Sequence, residues 1–273
     1  MRPAPDVLLN TPLIEAWPAR LLRARSNRDA RHLAQARWVL RRKIDGRYLA
    51  ADAPGGWVAL APGGLRERGV DTAMAAVAAA THRPPPTFGA RPPAALPLHR
   101  LRDRLDALGL DADAYAARSG LSLIAEPAWL AFAGRDRYAR PLWLHPAAAR
   151  GWARLRAAAY ADGVVLEAIS GYRSHDYQLG IFARKRARGQ RVDEILTVNA
   201  APGYSEHHSG LALDIGAPGE PPAEESFERT DAFAWLRTHA HAYGARMSYS
   251  RDNPHGIVYE PWHWRFSVSG PHA

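Results

Sequence analysis

Ser205-Glu206-His207-His208-Ser209-Gly210-Leu211-Ala212-Leu213-Asp214 is the stretch on which the fold turns. It sets His207 and Asp214 seven residues apart, with Gly210 between them. On one straight strand an odd offset puts two side chains on opposite faces. Gly210 permits the bend that brings the two together. Beyond it, Leu211 and Leu213 face one way and Ala212 and Asp214 the other. Leu213 then packs in a core, while the small Ala212 leaves room beside Asp214 for an ion and a ligand.

A second segment, Glu260-Pro261-Trp262-His263-Trp264-Arg265, puts Glu260 and His263 three residues apart near the chain end. Pro261 cannot donate to a sheet ladder, and it marks an irregularity that brings both side chains to one site. Trp262 and Trp264 alternate with His263 and are expected to wall the opposite face. The two segments together supply two His, one Asp and a spare Glu. A catalytic zinc site takes three protein ligands and keeps one position open for water, and a nearby carboxylate can accept that water's proton. The chain has no Cys, so any metal must be held by His, Asp or Glu. A third segment, Ser170-Gly171-Tyr172-Arg173-Ser174, reads as a strand-to-helix turn. An Arg there can fork onto a carboxylate, and Gln178, five residues on, can assist.

Outward from these motifs the pattern is mixed. Expected helices are Leu98 to Leu108 (stopped by Gly109), a short one capped by Asp111 or Asp113, Pro146 to Tyr160, one capped by Ser174 and running to Ala187, Val192 to Val198, and Asp231 to Tyr243. Expected strands are Val164 to Ile169, Leu211 to Ile215, Arg246 to Tyr249 and Ile257 to Phe266. There is no regular βαβ alternation, which argues for an α+β domain with an antiparallel sheet and flanking helices. Residues 1–98 look different. Arg20 to Lys43 is basic and helix-like, Trp57 to Leu60 is a short strand, and Ala73 to Ala80 is a short helix. Arg83-Pro84-Pro85-Pro86, Pro92-Pro93 and Pro97 read as a linker. The expected organisation is an N-terminal extension over 1–98 and a catalytic domain over 99–273.

Composition sets the outer bounds. A hydrophobic content of 47% and a charged content of 23% over 273 residues suit a soluble globular protein. The net charge of +9 comes almost wholly from Arg, the lysines being Lys43 and Lys185 alone. A basic surface favours anionic partners, but no nucleic-acid-binding motif accompanies the charge, so nucleic acid is not an expected partner. No run of 18 apolar residues offers a membrane span. Arg2 followed by Val7-Leu8-Leu9, broken at Asn10 and Pro12, does not read as a secretory signal, so the chain as written is expected to be cytoplasmic.

The Ser205-x-His207 run ending at Asp214, the Glu260-x-Trp262-His263 run and the Ser170–Ser174 turn resemble the VanY-type D-alanyl-D-alanine carboxypeptidases. These are M15 metallopeptidases with a hedgehog-like zinc peptidase fold. The resemblance covers roughly Leu142 to Phe266, with Ala245 where Phe is expected, and leaves residues 1–98 outside. It implies zinc on His207, Asp214 and His263, its register favouring His207 over His208, with Glu260 as base. It implies that Arg173, Gln178 and Ser205 bind the substrate's terminal carboxylate or the developing oxyanion. The implied substrate is a peptidoglycan stem peptide or muropeptide ending in D-Ala, which places the activity in the periplasm or cell envelope. D,D-dipeptidase, L,D-carboxypeptidase, L-Ala–D-Glu endopeptidase and a silent zinc-binding module remain as alternatives. His239 and His241 are expected to be structural and His255 a loop surface residue. His32, His82, His99, His145, His175 and His272 have no partner pattern.

Overall fold

The computed structural model describes residues 7–82, 92–98 and 101–268. Arg2, Arg83-Pro84-Pro85-Pro86, His99 and His272, and with them part of the expected linker, lie outside the described residues. The chain opens with strands β1 (Val7–Asn10), β2 (Ile14–Pro18), β3 (Trp38–Arg42), β4 (Tyr48–Ala53) and β5 (Gly56–Ala59). Helix α1 (Asn27–Leu33) precedes β3, and α2 (Val70–His82) follows β5. Then come α3 (Leu101–Asp106), α4 (Ala112–Ser119), β6 (Trp129–Arg135), β7 (Pro141–Leu144) and α5 (Pro146–Ala161). After these come β8 (Glu167–Ser170), α6 (His175–Ala187), α7 (Val192–Val198), β9 (Ala212–Gly216), α8 (Asp231–His239), β10 (Ala245–Met247) and β11 (His263–Phe266).

Two antiparallel sheets result, giving the expected α+β class with flanking helices. The larger is seven-stranded in the order β5-β4-β3-β2-β1-β6-β7, and the smaller is four-stranded in the order β10-β11-β9-β8. The larger sheet runs straight through the expected domain boundary. Val7, Leu8 and Leu9 of β1 pair with Ala131, Leu130 and Trp129 of β6. Residues 94–96, expected as linker, are also tied to the loop ahead of β6: Leu96 N–H donates to Glu126 O at 2.7 Å and Ala128 N–H to Ala94 O at 2.8 Å. Alternation along β1 serves two cores. Val7 and Leu9 pack with Val70, Ala73 and Val77 of α2, while Leu8 packs with Leu21, Leu130 and Trp143 on the opposite face.

The basic run Arg20 to Lys43 is not one helix. Ser26 caps a helix of seven residues by accepting from Asp29 N–H, and the chain then enters β3. Trp38, Val39 and Leu40 are all buried there, on both faces of the sheet. Tertiary burial overrides the helical reading, because a surface helix has only one stripe to hide such residues. The stretch Ile257 to Phe266 is likewise strand only from His263. Before it, Val258 N–H bonds to Thr197 O, Glu260 N–H to Tyr249 O and Trp262 O to Ile215 N–H, three different partners and no ladder.

In the smaller sheet, α5 and α8 cover one face. Leu213 and Ile215 of β9, Trp264 and Phe266 of β11, and Trp152 and Leu155 of α5 form the main core there. The other face is left to polar side chains. Leu8→Ala tests whether the joined sheet folds as one unit. Leu8 is fully buried at the β1–β6 seam, and a buried Leu→Ala change costs about 2–5 kcal/mol. Calorimetry is expected to show a single transition at lower Tm; a second transition that stays at the wild-type Tm would separate the N-terminal strands from the catalytic region.

Candidate metal centre

Asp214 stands in the middle of the smaller sheet. Its register partner across β11 is His263, and across β8 it is Ser170, at the head of the Ser170–Ser174 turn. His207 comes from outside the sheet, on a 3-10 turn over Glu206–Ser209 that ends at Gly210 in the left-handed region, φ 69°. The bend predicted at Gly210 is therefore a turn ahead of the strand. A Cβ at residue 210 would sit 2.5 Å from Leu130 Cδ2 and 2.8 Å from His145 N, so glycine is required by space as well as by φ.

These paths bring His207, Asp214 and His263 together, with one ligand-type atom of each within 4.8 Å of the others. His207 Nε2 lies 3.3 Å and His263 Nδ1 3.1 Å from Asp214 Oδ1. His207 Nδ1–H donates to Gly171 O at 2.7 Å, which leaves Nε2 as the lone-pair nitrogen facing the group. That Nε2 is buried without a hydrogen-bond partner. Burial, reinforced by Arg173, lowers the His207 pKa to about 4, so the ring is neutral, as a ligand must be. Burial works to raise the Asp214 carboxyl, but His207, His263 and Arg173 hold it well below the ordinary range. An orphaned imidazole nitrogen, a second imidazole and an ionised carboxylate at this spacing fit a divalent cation.

His263 carries a partner that sequence reasoning missed. Its Nε2–H donates to Glu206 Oε2 at 2.9 Å, and Ser248 Oγ donates to the same oxygen at 2.6 Å. Burial opposes charge on His263, yet hydrogen bonds to Asp214 and Glu206 raise its pKa to about 10; a cation on Nδ1 takes that proton's place. Glu206 fixes the ring orientation, as carboxylates behind metal-bound histidines do. Tyr249, also missed, lays its ring 4.8 Å from that of His263. Neither had a signal beyond its neighbours: Glu206 adjoins His207, and Tyr249 ends an expected strand.

The other predicted residues surround the group. Glu260 Oε2 lies 3.8 Å from His263 Nδ1, and burial raises its carboxyl to about 7 against the pull of His263. Arg173 Nη2 lies 3.8 Å from Asp214 Oδ2, and Arg173 Nε is buried without a hydrogen-bond partner. A cleft of about 270 Å³ joins them, lined also by Gln178, Ser205, Tyr249 and Trp262. Gln178 donates its Nε2–H to Ala200 O at 3.1 Å and leaves Oε1 buried without a partner. His208 is not in the group. Its Nδ1–H donates to Arg173 O at 2.7 Å and its Nε2 accepts from Gly203 N–H at 3.0 Å. Trp264 is core, on the face away from the cleft as expected, whereas Trp262 borders the cleft instead.

The family model described as VanY, D-alanyl-D-alanine carboxypeptidase, matches residues 141–269. The bifunctional D-Ala-D-Ala dipeptidase and D-Ala-D-Ala carboxypeptidase VanXYC of Enterococcus gallinarum is 30% identical over 139 residues, 48% of this chain and 70% of that protein. The D-alanyl-D-alanine carboxypeptidase of Enterococcus faecalis is 35% identical over 119 residues, 40% of this chain and 42% of that protein. A solved mutant of the vancomycin resistance D,D-pentapeptidase VanY from the VanB-type cassette, in complex with Zn(II), is 26% identical with a TM-score of 0.40. That match covers 55% of this chain and 80% of the other. This chain spans less than half the length of the first three curated relatives it matches, 41%, 42% and 30%.

The purified chain is expected to hold about one divalent cation. His263→Ala empties the site in elemental analysis. Glu206→Gln keeps the stoichiometry and weakens affinity about 10–100-fold in chelator competition. Metal retained in full after loss of both His207 and His263 would refute the assignment.

Proposed function

The chain belongs to the VanY family of D-alanyl-D-alanine carboxypeptidases, and from that membership we propose that it hydrolyses the terminal D-Ala peptide bond of peptidoglycan stem peptides, with zinc as its metal. The observation that carries the reading is the convergence of His207, Asp214, His263, Glu260 and Arg173 on one cleft. His207 Nε2, Asp214 Oδ1 and His263 Nδ1 would hold the zinc. When bound, the metal supplies Lewis-acid polarisation of the scissile carbonyl and acidifies the attacking water.

The chain's own groups do the remaining work. Glu260, with its carboxyl raised by burial toward the working pH, takes the water's proton and returns it to the leaving amine. Arg173 offers its guanidinium to the terminal carboxylate or to the oxyanion that develops on the carbonyl. Gln178 Oε1, buried and unpartnered, accepts a substrate N–H, and the Ser205 hydroxyl adds a polar contact in the same cleft. The second reading is D,D-dipeptidase activity, favoured by the bifunctional name of the relative of which the chain covers 70%. No described helix is long and apolar enough to cross a membrane. The substrate itself points to an envelope site of action.

Two measurements test the chemistry. Glu260→Gln should keep the metal and lower kcat by about 10²–10⁴-fold; near-normal turnover would place the base elsewhere. Because Glu260 must be ionised to act, kcat/KM is expected to fall on the acid side of its titration. The midpoint lies at or below about 7, since a bound cation draws it down, and Glu260→Gln removes the limb. End recognition is read from kcat/KM for free-acid and amidated peptides with wild type and Arg173→Ala. Amidation should cost wild type on the order of 2–5 kcal/mol and the variant little, and Arg173→Lys should not rescue. Equal losses in both enzymes would leave Arg173 serving the oxyanion alone.

A further inference from the structure

One buried carboxylate ties the N-terminal strands of the larger sheet to the turn that carries Arg173. Lys43, directly after β3, buries its ammonium against Glu126, their side chains being 0% and 6% exposed. Glu126 lies in the loop ahead of β6 and touches none of the metal-facing atoms. Its Oε2 accepts from Tyr172 Oη–H at 2.5 Å and from Asn10 Nδ2–H at 3.2 Å. Its Oε1 accepts from the His175 backbone N–H at 2.8 Å. Asn10 also donates to the Tyr172 oxygen at 2.9 Å. Tyr172 and His175 flank Arg173 and Ser174, so one carboxylate grips the turn on both sides of Arg173.

The opposite side of the turn is gripped by the 3-10 turn that carries His207, since Gly171 O accepts from His207 and Arg173 O from His208. A Cβ at residue 171 would lie 2.8 Å from Trp143 O, so the turn is pressed against β7 as well. The carboxylate can be buried here only because a cation is buried with it. That cation comes from the N-terminal sheet. It is one of two lysines among 36 basic residues, a slender point charge where a planar guanidinium needs more room.

We propose that Lys43, Glu126 and Tyr172 are positioning residues for Arg173, which makes the N-terminal sheet a working part of the catalytic unit. The proposal takes its main readout, but not its geometry, from the proposed reaction. The test is a double-mutant cycle on the full chain with its metal bound. Tyr172→Phe deletes one hydroxyl and should lower kcat/KM by about 10–100-fold, the scale of a misplaced catalytic group, with metal content unchanged. In the Arg173→Ala background the same change should cost less than about twofold, because nothing remains to be positioned. A wild-type kcat/KM for Tyr172→Phe, or losses that multiply in full with Arg173→Ala, would overturn the proposal. Lys43→Met strands a buried charge, so Lys43→Met with Glu126→Leu is measured beside it. That pair should fold and still lack the lost kcat/KM; full recovery counts against positioning. If wild type cleaves no stem peptide, the proposed reaction fails on its own. Amide hydrogen exchange at Tyr172–His175 then decides: faster exchange in Tyr172→Phe supports the proposal, and unchanged exchange overturns it.

Discussion

The carboxylate of Asp214, buried between two imidazoles and a guanidinium, is the constraint on which the rest depends. Its Oδ1 lies 3.3 Å from His207 and 3.1 Å from His263, and its Oδ2 lies 3.8 Å from Arg173. An ionised group in that position is tolerable only when paired on every side. Each partner reaches it by a different route. The β9–β11 register delivers His263, the turn closed by Gly210 delivers His207, and the turn that follows β8 delivers Arg173. The smaller sheet keeps one face for Leu213, Ile215 and Phe266, so the polar face is free for chemistry.

A second carboxylate, Glu126, organises the seam between the sheets in the same manner, and a third, Glu206, orients His263. The three form a graded arrangement. Asp214 faces the candidate metal position, Glu206 stands behind one ring, and Glu126 holds the turn from the far side. Glu260 differs from them. It lacks a strong cationic partner, so burial dominates and lifts its carboxyl to about 7, whereas partners hold Glu206 and Glu126 at about 2. Environment thereby sets Glu260, the proposed proton-transfer carboxylate, apart from the paired ones.

The sequence made the candidate metal group legible because each member sits in a short local motif. His207 and Asp214 share one decapeptide, and Glu260 and His263 are three residues apart. Ser174 and Asp111 were readable as caps for the same reason, since capping is settled within one turn. What stayed hidden depends on distant partners. Glu206 gains its role from Ser248 and His263, 42 and 57 residues away. Lys43 gains its role from Glu126, 83 residues away. The helical reading of Arg20 to Lys43 failed because Trp38, Val39 and Leu40 are buried by a sheet that their own charged neighbours do not announce. Residues 94–96 resembled a linker by composition, but their backbone groups are taken up by the loop ahead of β6.

The proposed activity is removal of a single C-terminal D-Ala by a metal site built on His207, Asp214 and His263. Mass spectrometry of a pentapeptide muropeptide incubated with the zinc-loaded chain tests it most directly. The expected product is shorter by one alanine, formed with zinc present and abolished by a chelator. An unchanged muropeptide, a cut at an internal bond, or the same product in the presence of the chelator would contradict it.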